Sequence, residues 1–120
     1  MQLLAELEHL GRNWDGYGAE PVTILAISRA RELIRMAASR CGQLVGAAIR
    51  PDGVSPLVDG GVQVEWSGSR SRIEVEVGPG GDLRCILDHG RDASPRITEV
   101  EHASLEDALQ MILRMIAPAL

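Results

Sequence analysis

The 120-residue chain predicts a two-layer α+β domain with two N-terminal helices, an antiparallel meander of three to four strands, and a C-terminal helix. Three patterns carry that prediction. Apolar residues recur at helical spacing near the N-terminus and again over the last third of the chain. Between them, Val62, Val64 and Trp66, then Ile73, Val75 and Val77, alternate strictly with polar residues. A sheet with one apolar face needs cover, and the helices supply it.

The first helix is expected over Met1–Leu10, with Leu3, Leu7 and Leu10 on one stripe and Gly11 as its left-handed stop. Thr23 is the expected N-cap of a second helix that runs to about Arg40 and stops at Gly42. Ile27, Ala30, Leu33, Ile34 and Ala37 form its buried stripe. Leu44–Ile49 is the candidate for a short strand, followed by a loop marked by Pro51, Asp52, Gly53 and Pro56. The alternating stretches then form a hairpin linked by Gly68-Ser69, and Leu83–Asp88 and Arg96–Glu101 complete the meander. Ser104 and Asp107 resemble a capping box that starts the last helix, and Pro118 ends it. No internal repeat divides the chain, so residues 1–120 are expected as a single domain.

The composition narrows the chemistry. With no Phe, one Tyr and two Trp, the core must be aliphatic. Every basic side chain other than histidine is Arg, and the net charge of −5 opposes a sequence-independent grip on nucleic acid. No long apolar run or secretory signal is present, and Cys41 and Cys85 lack paired-motif spacing, so a reduced, cytoplasmic protein is expected. His9, His89 and His102 are scattered, matching no metal-ligand spacing, and no cofactor is implied. Cys85 and His89 would lie more than ~12 Å apart along a strand at ~3.3 Å per residue, too far for a nucleophile–base pair. Gly78-Pro79-Gly80-Gly81 joins two strands rather than a strand and a helix, so it is a turn and not a phosphate cradle. No catalytic residue is assigned.

Two surfaces remain as candidates for partner binding. Glu65, Glu74 and Glu76 share the polar face of the hairpin, with Arg70, Arg72 and Arg84 available as cross-strand partners. The stretch NWDGYGAEP, Asn13–Pro21, holds two of the three aromatic residues. Its structural reading has Trp14 turned inward onto the leucine stripe, Asp15-Gly16 turning the chain and Pro21 launching the next helix. Its functional reading leaves Tyr17 outward as an anchor for another protein.

The NWDGYGAEP block, together with the VDGGVQVEW strand and the RIEVEVGPGG hairpin, resembles a loosely defined group of small bacterial and phage proteins. Those carry an N-W-D-G-Y-G-A-x-P block and a D-G-G-x-x-x-E-W strand at similar spacing. The likeness covers roughly residues 3–82 and brings no catalytic residue with it. It implies a place among mobile-element proteins, where antitoxins, immunity proteins and inhibitors of host defence are common.

The expected function is therefore a small, non-enzymatic protein-binding module that inhibits or neutralises a larger protein. An anti-defence inhibitor such as an anti-CRISPR protein, or an antitoxin, is its concrete form, with a defence effector or toxin as partner. Asp15, Tyr17, Glu65, Glu74 and Glu76 are the expected contact residues, without metal, membrane or sequence-specific nucleic acid. One alternative is a small-ligand binder or enzyme using Asp15, Tyr17 and Glu65 in a cleft between the Asn13–Pro21 loop and the Val62–Val77 hairpin. Another is a homodimeric structural protein joined through Met111 and Met115.

Overall fold

The alternating stretches become the centre of a five-stranded antiparallel sheet in the computed structural model, which describes residues 2–116. The strands are β1 (Gly53–Pro56), β2 (Val62–Ser67), β3 (Arg72–Val77), β4 (Leu83–Asp88) and β5 (Ile97–Ala103), and they lie side by side in chain order. In the β2–β3 register Val62 faces Val77, Val64 faces Val75 and Trp66 faces Ile73. Cys85 and Leu87 of β4 continue those rows. Period-2 alternation sends all of these side chains to one face, and all are buried.

Helices α2 (Ile24–Met36) and α4 (Leu105–Ile116) cover that face and fuse with it into one aliphatic core that also takes in Leu4 and Leu7 from α1 (Gln2–Leu7). Both long helices start where their caps predict. The Thr23 hydroxyl accepts from the Ala26 amide at 3.1 Å. Ser104 and Asp107 bond reciprocally, the Asp107 amide to Ser104 Oγ at 3.0 Å and the Ser104 amide to Asp107 Oδ2 at 3.1 Å. The expected start at Met1 and stop at Pro118 lie outside the described residues, as does the side chain of Leu3.

The structure differs from expectation in three places. The first concerns the start of the chain, where α1 closes at Leu7 and tightens into i→i−3 bonds up to Leu10. The left-handed position falls at Asn13 (φ 60°) rather than at Gly11. The second is the end of helix two. Gly42 does not stop it: the chain passes through a π-helical turn, Ala37–Cys41, into α3 (Gly42–Val45) and ends at Gly46 (φ 69°). Gly42 instead packs closely, since a Cβ would sit 3.1 Å from the Ala47 carbonyl.

The third is the sheet, which gains a strand within the expected Pro/Gly loop, while part of the Leu44–Ile49 segment is helical. β1 is an edge strand, and Pro56 closes it, so a residue without an amide donor costs the ladder little. At the other edge β5 runs on to Ala103 past a register irregularity, with His102 at φ 52°.

Candidate functional site

The two motif blocks meet in space, and backbone hydrogen bonds join them. The Glu20 amide donates to the Val58 carbonyl at 2.9 Å, and the Thr23 amide to the Gly60 carbonyl at 3.0 Å. The glycines of VDGG permit this approach. Gly60 adopts φ 97° with a would-be Cβ 3.0 Å from Pro21 O, and a Cβ on Gly61 would run into the Val77 carbonyl. Thr23 Oγ1 also donates to Pro79 O at 2.7 Å, fixing the start of α2 against the β3–β4 turn.

Within NWDGYGAEP nearly every polar group is spent on closing the loop. The Asn13 amide donates to Ala19 O at 2.6 Å, and the Asn13 side-chain oxygen accepts from the Gly18 amide. Asp15 Oδ1 accepts from Tyr17 N at 2.8 Å and Ala19 N at 3.1 Å, an Asx turn extended by one further bond. Trp14 is half-buried and donates its indole N–H to Glu20 O at 2.7 Å. Its ring is not part of the core, so it braces the loop rather than pegging the leucine stripe. The deeply buried tryptophan is Trp66, 1% exposed, whose indole N–H has no hydrogen-bond partner among the described residues.

Tyr17 is the exception in this loop. The residue is 93% exposed. The loop and its neighbours present other uncovered apolar side chains: Ile24 at 86%, with Leu25 and Val58 also exposed. Leu25 shares the polar side of α2 with Arg29 and Glu32 at i+4 and i+7, a spacing that marks it in the sequence as off the buried stripe. Val58 carries no such signal, because loop residues have no periodicity to violate.

The open face of the sheet carries the three glutamates. Glu74 is held by Arg72 at 3.1 Å and Glu76 by Arg84 at 3.3 Å, while Arg84 also reaches Glu99 at 2.9 Å and Glu101 at 3.7 Å. Glu65 lies directly opposite Glu74 and Gly53, with no ion-pair partner among the described residues. Two carboxylates face to face oppose one another, so this row keeps an unbalanced negative charge. Arg70, expected as a cross-strand partner, instead sits in the hairpin tip, Gly68–Ser71, away from the ladder.

The expected cleft between loop and hairpin does not bring its residues together around a hollow. Asp15 is committed to loop amides, Tyr17 points into solvent and Glu65 lies on the open sheet face. Five surface hollows of 350 to 550 Å³ are lined by other residues. Cys41 and Cys85 are buried free thiols, and burial pushes the Cys85 thiol up to about 11, which keeps it protonated and unreactive near neutrality. His89 is exposed and hydrogen-bonded to Thr98 (Nε2···Oγ1 2.6 Å). Met115, one of the two methionines expected at a dimer surface, is buried in the core, and Met111 is half-buried beside it.

Among the described residues no group of three His, Cys, Asp or Glu side chains is placed to hold a metal ion, and no helix is long and apolar enough to cross a membrane. The chain matches no protein-family model, and no curated protein and no solved structure is significantly similar to it.

Proposed function

We propose that the protein is a non-enzymatic binding module that blocks or neutralises a larger protein, with Tyr17 as its anchor. The observation that carries this reading is the fully presented Tyr17 ring on a loop whose other polar groups are closed on themselves. A preorganised loop loses little conformational entropy on binding, so an aromatic displayed on it delivers most of its contact energy as affinity. Ile24, Leu25 and Val58 add exposed apolar side chains on the segments joined to this loop, and exposed apolar area is characteristic of protein–protein sites. Asp15 then serves as the positioning residue for Tyr17. Glu65, Glu74 and Glu76 offer a second contact to a basic region of the same partner.

An anti-defence inhibitor of the anti-CRISPR kind and an antitoxin are the two concrete forms of this module. The test is capture of partners from host lysate, identification by mass spectrometry, and binary titration of the purified partner. Tyr17→Ala is expected to weaken that binary binding at least tenfold, about 1.4 kcal/mol, and to relieve inhibition of the partner's activity. A partner that binds and is inhibited equally by wild type and Tyr17→Ala would remove Tyr17 from the interface. A captured protein whose activity is unaffected would remove the inhibitor reading.

A further inference from the structure

The far end of the hairpin has different chemistry. Arg12, Arg29, Arg31, Arg40, Arg72, Arg84 and Arg96 each have a carboxylate partner. In a chain with 17 acidic and 12 basic side chains, such pairing is the expected condition. The other five have no such partner among the described residues; Arg35 and Arg50 line none of these hollows, whereas Arg70, Arg91 and Arg114 all border adjoining hollows at the hairpin tip. The fold brings them there. A Cβ on Gly90 (φ 105°) would lie 2.6 Å from the Arg70 carbonyl, so only glycine lets the β4–β5 loop close against the tip. Of the two nearby acids, Asp88 at the end of β4 is already engaged by Arg96 at 3.3 Å and by the Gly90 amide at 3.0 Å, while Asp92 lines the adjoining hollow with Arg70 and Arg91 but not the one beside Arg114.

The largest of these hollows, 550 Å³, lies between the hairpin tip, the inner side of β4–β5 and the C-terminal half of α4. Leu87, Val100, Met111 and Met115 line it with apolar surface. Arg70 and Arg114 line it beside the hydrogen-bonded His89–Thr98 pair, and among the described residues no carboxylate does. Its volume falls within the range of small-molecule sites, whose usual composition is an apolar lining with a few polar groups that fix orientation. Guanidiniums without an internal counterion are the side chains best suited to hold a carboxylate or phosphate.

We propose that this hollow binds a small amphiphilic anion. Its aliphatic body lies on the Leu87, Val100, Met111 and Met115 floor, and its carboxylate or phosphate head is held by Arg70 and Arg114. The two methionines suit such a ligand, because unbranched thioether side chains adapt to flexible chains. The site is independent of the Tyr17 surface.

The chain has four methionines, so methionine-methyl-labelled protein gives a simple spectrum in which binding is read at assigned positions. Titration with octanoate is expected to shift the Met111 and Met115 methyls saturably, with Kd below about 1 mM, while Met36 stays still. Octyl phosphate in a parallel titration tells which head group is preferred, and octanol, with no charge, is expected to bind at least tenfold more weakly. Arg70→Gln with Arg114→Gln is expected to cost at least tenfold in affinity at unchanged melting temperature, whereas Arg35→Gln, at a distant unpaired arginine, leaves affinity unaltered. Absence of saturable Met111 and Met115 shifts with both anions overturns the proposal. So does octanol binding as well as the anions, or full affinity in the double variant.

Discussion

At the Val62–Val77 end of the β2–β3 hairpin, bonds from Glu20 to Val58 and from Thr23 to Gly60 and Pro79 tie the loop and the start of α2 to the sheet. This end leaves four large apolar side chains on its surface: Tyr17, Ile24, Leu25 and Val58. At the Ser67–Arg72 end, about 17 Å away by strand length, the surface is rich in arginine over an apolar hollow. The first end, closed by its own hydrogen bonds, is where we propose that another protein docks. The second is concave, and there the proposed ligand is a small anion. Net charge, which is acidic for the whole chain, describes neither end.

The two ends share one support. Trp66 lies in the inner row with Ile73 and Leu87, behind the hairpin tip, and the core that it fills also holds the face under α2. Trp66→Ala is expected to destabilise the protein by ~3–5 kcal/mol, the loss of a large buried ring plus the cavity it leaves. Chemical denaturation followed at both ends, through Tyr17 and the Met111 methyl, checks this. A single coincident transition is expected; separate transitions would mean that the ends are energetically independent. Alternation places Trp66 on the buried face, as observed, whereas Trp14, expected to turn inward, is only half-buried. Strand period fixes which face a residue occupies, whereas the burial of a loop residue depends on what folds over it.

A smaller effect separates stability from recognition within the first end. Asn13→Ala removes the acceptor for the Gly18 amide and places a residue with a Cβ but no local hydrogen bond at φ 60°. Left-handed backbone costs roughly 1–2 kcal/mol for such a residue, and an unmet amide adds to it, so a loss of about 2 kcal/mol is expected. Tyr17→Ala, four residues away, is expected to change stability by less than about 0.5 kcal/mol. Thermal melts of the two variants make the comparison. Equal losses would mean that the Tyr17 ring contributes to the fold, and its role as a displayed anchor would then need revision.

Local rules made most of the architecture legible. Capping at Thr23 and at Ser104 with Asp107, alternation in β2 and β3, and the bounds of β4 all follow from interactions spanning a few residues. The misses share another cause. β1 exists because β2 offers it a ladder, despite a Pro/Gly-rich sequence. The helix passes Gly42 because the π-helical turn lets Cys41 donate its S–H to Leu109 O (3.7 Å) and Arg40 reach α4. Among the candidate contact residues, the exposure of Tyr17 follows its expected role, while Asp15 is taken up by the loop. Glu65, Glu74 and Glu76 were legible as one face, but the unpaired state of Glu65 was not, since it depends on Gly53 arriving opposite it from β1.

The smallest expected effect tests that tertiary step at the π-helical turn. Arg40 grips Glu106 with two hydrogen bonds, 2.9 and 2.7 Å, joining the turn to the first turn of α4. The bond from Arg40 holds the Glu106 carboxyl below its ordinary value. A carboxylate depressed in the folded state contributes stability in full above its unfolded value, near ~4.3, and loses it as pH falls through the lower folded value. Arg40→Gln is therefore expected to lower the melting temperature slightly and by the same amount from about pH 6 to 8. The difference from wild type should shrink below about pH 4 and disappear once Glu106 is protonated in both states. Both partners are solvent-exposed, so raising salt at neutral pH should narrow the same difference. A gap that survives acid and salt unchanged would place the role of Arg40 in the packing of its aliphatic stem, and the π-helical turn would then be held by the core contacts of Ala37 and Cys41 alone.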